Sequence, residues 1–482
     1  MHRLITIFGL LTLLGGLTCP AYAGIRVFFD WGIFGASWTD IDGNQRRTVL
    51  GPFYEQANGD EGTLSAIRPF WSGAYSTRRD QTVNEFLWPL ANSRRDGAAW
   101  TWRFGTVMGF YDDVSDPNGR YRLWALPFYF QGRDKNGEDY RALFPIGGTI
   151  NEFLGRDTNQ FFLFPLYGRQ VINDVETTNY LWPIFSRTIG DRDDRFRIFP
   201  IYGHSRREGM GEKRFVLWPF WTDVRYDWEG SKGQGWILFP LFGHLKLQDQ
   251  ESYWVIPPFF RYAVGEEGNS RLHGPWPFFQ KTTGESEKLY IFPLAGEKKI
   301  GHVTKSFLLW PFVFRDKLER NEYTLTRNYV MPFLYYFNKV PRNSEEKAST
   351  YLKIWPFFSW EDGDRGQRLR MLELWPVRNQ GSIERNLAPL WRLAQYQSNG
   401  TDSDTEILWG TYRRIKRGDE VYTSIFPLYE SQKNLGPPQF KTWSVLKGLI
   451  GYERREKSRK VKLLYFINIP WGSSGNVKEA IP

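Results

Sequence analysis

Cysteine is almost missing from this chain of 482 residues: there is one, Cys19, and it falls in a stretch that carries the marks of a cleaved leader. A mature chain without a thiol has no disulfide framework, no cysteine nucleophile and no cysteine-ligated metal. Histidine is scarce as well. After the leader there are His204, His244, His273 and His302, scattered and never three or four residues apart as metal ligands on one element would be. No Walker loop, dinucleotide fingerprint or nucleophile elbow is present. The longest apolar run, residues 4–14, is too short to cross a bilayer.

That run is preceded by Arg3 and followed by Ala21-Tyr22-Ala23, the charged start, apolar core and small-x-small end of a secretory signal peptide. Cleavage is expected after Ala23, giving residues 1–23 as leader and Gly24 as the first mature residue. Acylation at Cys19 is the rival, disfavoured because Gly16 stands where a lipobox has leucine. Losing Arg3 leaves 62 basic against 53 acidic residues, formally +9. The two signs are interspersed throughout, which describes a solvated mixed surface and excludes a nucleic-acid footprint as the main reading.

What the chain has in excess is aromatic residues, 18% of the total with 22 Trp, 25 Tyr and 38 Phe, although mean hydropathy is only −0.50. The apolar residues must therefore be clustered between polar stretches, and the clusters recur around proline. Leu181-Trp182-Pro183-Ile184-Phe185 is followed by Ile198-Phe199-Pro200-Ile201-Tyr202-Gly203, then Leu217-Trp218-Pro219-Phe220-Trp221, then Leu238-Phe239-Pro240-Leu241-Phe242-Gly243. Related units centre on prolines 69, 89, 127, 145, 165, 258, 277, 293, 311, 332, 356, 376 and 427. The spacing is about 19 residues, and the wide gap from Pro89 to Pro127 reads as a degenerate copy without its proline.

A central proline forbids a helix, and runs rich in Phe, Trp and Ile bounded by Gly, Asp and Asn read as strands. Asn58-Gly59, Asp96-Gly97, Asn118-Gly119, Asn136-Gly137, Asp362-Gly363 and Asn399-Gly400 suit tight hairpin turns. Gly147-Gly148 reads as a break in the repeat. The expected fold is all-β, an antiparallel up-and-down meander of about twenty strands, each about a dozen residues long, whose proline marks either a shared mid-strand bend or a bulge or strand junction. Residues 24–470 are expected to form one β-repeat domain, with 471–482 a polar tail.

Two architectures meet these constraints. A closed outer-membrane barrel is supported by alternation after Pro219, with Phe220, Thr222, Val224 and Tyr226 toward lipid and Asp223, Arg225 and Asp227 toward water. After Pro240 the same pattern puts Leu241, Gly243, Leu245 and Leu247 outward and His244, Lys246 and Gln248 inward. The alternative is a soluble β-repeat body, propeller-like or a large folded meander, which accounts better for strand centres apolar on both faces.

Carboxylate pairs such as Asp112-Asp113 and Asp193-Asp194 sit in turn-like, charged surroundings, where nothing raises a pKa for general-acid work. Glu361-Asp362-Gly363-Asp364 lacks the spacing of a calcium loop. No catalytic, cofactor-binding or metal-ligating residue is assigned, and enzymatic activity is not expected. The composition points to a non-enzymatic cell-envelope protein, a pore or scaffold of the outer membrane, with a glycan-stacking scaffold of the periplasm or cell surface as the second class. The implied partners are outer-membrane lipid or envelope polysaccharide, with no nucleic acid.

Overall fold

The computed structural model describes residues 25–342, 345–455 and 458–470, so the expected leader, its cleavage point and the polar tail lie outside the described residues. The fold is all-β: among the described residues there are 46 short strands, each antiparallel to its chain neighbours within two compact units. One unit holds the described residues up to Pro89 and from Pro332 onward; the other is Leu90–Met331. Within each unit the ladder runs on in chain order and is not cut into four-stranded blades, as a propeller would require.

The repeat has twice the number of strands its proline spacing suggested. Strand Val175–Tyr180 ends at the turn of residues 181–184, the chain returns as Phe185–Gly190, and a turn at Asp191-Arg192 leads into Asp193–Ile198. One period of about 19 residues is thus a hairpin of two six-residue strands, and the proline sits in its turn, not at the centre of a bent strand. Ile184 N–H donates to Leu181 O at 2.8 Å across that turn, and the Trp182–Pro183 bond is cis, the proline position of a type VI turn. The absent proline N–H therefore takes nothing from the ladder, which resolves the conflict between a regular proline and a sheet interior. The gap between Pro89 and Pro127 is filled by a proline-free turn at residues 105–107, with Gly105 at φ +54°.

Neighbouring proline turns are bonded to one another. Leu181 N–H donates to Leu166 O and Trp182 N–H to Pro165 O, both at 2.8 Å. Leu217 with Trp218 and Leu309 with Trp310 repeat the pair of bonds to the preceding turn. Leu181, Leu217 and Leu309 have φ of +50°, +46° and +49°, a left-handed backbone that costs a β-carbon residue about 1–2 kcal/mol. The two backbone bonds to the preceding turn hold that conformation.

Hairpin turns on the other edge are short and polar. Gly97, Gly119, Gly137 and Gly400 take left-handed φ there, as the sequence pairs required. Asn58-Gly59 and Asp362-Gly363 instead end the strands Tyr54–Gly59 and Phe358–Gly363, and the chain turns one residue later. At Gly147-Gly148, where the sequence reads as a break, the chain stays in a strand, Gly147–Phe153, but an irregular one: Gly148 and Glu152 have φ of +134° and +53°, and only Ala142 and Leu143 of the preceding strand pair with it. Glycine after the proline unit has a packing reason: a Cβ on Gly203 would meet Phe215 Cε1 at 2.1 Å, because the ring of its direct cross-strand partner lies over it.

Among the described residues the first strand, Val27–Asp30, pairs only with Gly35–Thr39, and the last, Ile467–Pro470, only with Ser458–Leu463. The ladder does not close, so the closed barrel expected from the sequence is corrected on that point. Strands from the beginning and end of the chain do meet, within the first unit, but through side chains: Ile25, Ala36, Trp38, Ile415 and Tyr422 form one buried cluster.

Candidate functional site

Two features of the fold concentrate chemistry. The first is a polar layer in the first unit. Strand Gly366–Met371 places Arg368 and Arg370 on one face, and its partner Ala394–Ser398 sets Gln397 opposite Arg368 and Gln395 opposite Arg370. The next two strands continue the rows with Asp404 and Glu406, then Ile415 and Arg413. Between the two paired strands the chain leaves the meander at residues 372–393, which contain the short helices Gly381–Asn386 and Ala388–Trp391. Pro376, counted with the repeat prolines, belongs to this excursion and not to a hairpin turn.

The excursion supplies buried charge. Lys353 and Glu373, both with fully buried side chains, pair at 3.1 Å; Lys353 Nζ also donates to Val377 O and Asn379 Oδ1 at 3.0 and 2.9 Å. Arg392 bridges Glu373 and Glu384, each at 2.9 Å. Arg385 reaches the early strands and grips Glu85 with two bonds of 2.9 and 3.0 Å, while Arg68 donates to Arg385 O and to Glu55 Oε2, both at 2.6 Å. Arg413, 2% exposed, lies 4.0 Å over the Trp38 ring and 2.9 Å from Asp30. Apart from the Arg413–Asp30 ion pair, these are hydrogen bonds made by charged groups, the strong class. A cavity of about 280 Å³ remains inside this layer, with Arg46, Arg368, Arg370, Glu384, Gln395 and Gln397 among its walls.

The ionisations follow the geometry. Burial alone would raise Glu384, but the charges of Arg392 and Arg370 and hydrogen bonds from Asn379 and Arg392 outweigh it and hold the carboxyl at about 2. Glu55, beside Arg68 and Arg46, and Glu85, bonded by Arg385, are likewise held below their ordinary value against burial. Burial pushes Lys353 down, with Glu373 opposing. Burial and then the charge of Arg392 push Arg370 down, with Glu384 and Glu373 opposing. Because the unfolded chain protonates these glutamates first, near 4.5, their contribution is complete above that value and is lost as pH falls through their depressed folded values, about 2 for Glu384. The urea midpoint of the first unit should therefore change little between pH 5 and 7 and drop steeply from pH 4.5 downward. A midpoint unchanged at pH 3 would show that these carboxylates carry no linked stability.

The second feature is the proline-turn edge of the second unit. All these turns leave by the same edge of the ladder, and their side chains are exposed: Trp182 and Trp218 at 51% each, Phe312 at 57%, Ile201 at 57%. Successive rings approach one another along it, Phe144 to Phe164 at 5.3 Å, Phe164 to Trp182 at 6.0 Å, Phe199 to Trp218 at 5.3 Å and Phe292 to Trp310 at 5.2 Å. The opposite edge carries Asp191-Arg192, Glu208-Gly209, Glu229-Gly230 and Gln248-Asp249.

The residues singled out in the sequence fall elsewhere and apart. His204 and His244 occupy equivalent third positions of their strands and pair with Glu212 at 2.8 Å and Glu251 at 2.9 Å. Asp193 is held by Arg195 and Arg207, and Asp194 by Arg187 at 2.6 Å. Asp113 accepts from the Ser115 backbone and hydroxyl in a turn. Glu361 pairs with Arg378 at 3.0 Å and Asp362 with Lys347 at 2.6 Å. Among the described residues no three His, Cys, Asp or Glu side chains gather as a metal site. The alternation after Pro219 is present, Thr222, Val224 and Tyr226 sharing a face of Trp221–Trp228. Across the ladder, however, Val224 stands in a row with Lys213, Ser205 and Arg195, so this face is not a continuous apolar band.

No family model matches the chain, and no curated protein matches it.

Proposed function

We propose that the protein is a non-enzymatic scaffold of the cell envelope, exported by its leader and held on the outer membrane by the apolar turn edge of its sheet. The observation that carries this is the contrast in the second unit between an edge of exposed Leu, Trp, Phe and Ile turns and an opposite edge of mainly polar and charged turns, where Val114, Leu154 and Met210 are isolated apolar exceptions. Between the turn at Pro127 and the turn at Pro311 that edge follows some twenty strand spacings, a contour of about 100 Å at ~4.8 Å each. Lipid is a continuous apolar phase over that length, and Trp with aliphatic neighbours is what membrane interfaces select. Six-residue strands reach only about 20 Å, short of the nine to eleven tilted residues that crossing requires, and both sheet faces carry arginine and lysine. Scaffold therefore fits better than transmembrane pore.

The test is flotation of the purified mature chain with liposomes of outer-membrane phospholipid, read together with tryptophan quenching by lipids brominated near the headgroup. Co-flotation with strong shallow quenching is the expected result. A chain that stays at the bottom of the gradient with an unchanged tryptophan spectrum would overturn the proposal.

A further inference from the structure

The cavity of the first unit has a feature its structural ion pairs do not need. Most of its arginines are committed to carboxylates at 2.6–3.0 Å, as Arg68, Arg385, Arg392 and Arg413 are. Arg368 and Arg370 are not. The nearest carboxylate oxygen to Arg368 is that of Asp42 at 3.8 Å, and Arg370 meets only Glu384 at 3.4 Å, an acid already gripped by Arg392. Two residues apart on one strand, they stand on the same face, with Gln397 and Gln395 directly across the ladder. These four side chains form a square on one face of the sheet, all lining the same cavity; the glutamine amides already donate to Asp42 at 3.1 Å and to Glu406 at 2.8 Å, so the two guanidinium groups are what the square offers an anion. Arg46 lines it too, from strand Gln45–Val49, but is held by Asp40 at 2.6 Å and Glu55 at 3.0 Å.

We infer that this square is a binding site for a phosphorylated monosaccharide. Two guanidinium groups side by side match the three oxygens and near double charge of a phosphate monoester, which arginine binds in paired hydrogen bonds. A lone carboxylate would leave one of the two guanidinium groups without an anion. The cavity, about 280 Å³, is of monosaccharide size, and beyond the square its wall turns to Leu393, Pro389 and Trp409, with Thr48 and Thr405 adding hydroxyls. Aliphatic and aromatic surface interrupted by a few polar groups is what the alternating C–H and O–H faces of a sugar ring meet in a binding pocket. The site lies in the first unit and is independent of the apolar edge, so neither assignment depends on the other.

Isothermal titration of the full mature chain with glucose 1-phosphate, inorganic phosphate and glucose tests it. Glucose 1-phosphate should bind with a dissociation constant on the order of 1 mM or tighter, inorganic phosphate more weakly, and glucose without measurable heat. The double variant Arg368→Gln/Arg370→Gln should lose at least about tenfold in affinity. Should the double variant unfold, Arg368→Gln alone, at a partly exposed position, should still weaken binding several-fold with the parent's unfolding midpoint. The inference is overturned by absence of heat with glucose 1-phosphate, by glucose binding as well as its phosphate, by inorganic phosphate matching the sugar phosphate, or by unchanged affinity in a folded Arg368→Gln.

Discussion

Glu373→Ala should destabilise the first unit by about 3–5 kcal/mol, because it strips the anion from a pair that has no access to water. Lys353 and Glu373 have no exposed side-chain surface, and Glu373 also accepts from Asn379 at 2.7 Å and from Arg392 at 3.1 and 2.9 Å. Without the carboxylate, Arg392 keeps Glu384, while Lys353 keeps only the carbonyls of Val377 and Asn379. The sign of the pH dependence follows from Lys353. Its folded pKa already lies below 10.5 through burial, and Glu373 is the first influence opposing that fall. In the variant the folded state releases this proton at lower pH than the unfolded state does. The unfolded chain then binds more protons across the window below 10.5, so the stability of Glu373→Ala should recover as pH is raised from 7 toward 10. Replacing both partners, Lys353→Met with Glu373→Leu, removes the buried charge and should cost far less than the single change. Urea denaturation followed by near-ultraviolet circular dichroism measures all three. A single-variant loss below about 1 kcal/mol would mean that water reaches the pair.

Much of the fold was legible because its period is written in residues that act locally. Proline with two flanking aromatics, recurring at about 19 residues, and glycine after asparagine or aspartate gave the meander and many of its turns. The strand count was misread for a physical reason: Leu181, Trp182 and Ile184 look like strand interior by composition, and only the backbone shows that they form an exposed turn. Apolar character does not by itself mean burial: Trp218, beside a repeat proline, is about half exposed. The ionic layer of the first unit was not legible at all. Arg68 meets Arg385 and Tyr422 meets Asp30 across more than 300 residues, and no local spacing encodes such a meeting. The one trace of the arginine square in the sequence is alternation, Arg368-x-Arg370 and Gln395-x-Gln397, which places each pair on one strand face without saying that the strands are partners.

The combined variant Ile201→Ser, Phe220→Ser, Leu241→Ser and Phe312→Ser should fold as the parent does and leave the membrane. Each of these side chains follows a turn proline and is 52–57% exposed, so each already has much of its surface in water and its loss removes little packing. On lipid the same surface is buried. Transfer of a large apolar side chain is worth about 1.5–3 kcal/mol in full, hence about 1 kcal/mol for the exposed half of each, and about 4 kcal/mol for the set. That is a loss of nearly a thousandfold in partitioning onto liposomes. Attachment through this edge is apolar, so parent binding should persist in 1 M salt, where an attachment through surface arginines would be screened away. Serine replacements of Glu208 and Glu229 on the opposite, charged edge alter as exposed a surface and should leave partitioning unchanged. Flotation of the three proteins at low and high salt, with thermal unfolding midpoints measured alongside, decides between the two modes of attachment. Retention of the four-serine variant on liposomes, with parental unfolding, would assign membrane contact to some surface other than the proline turns.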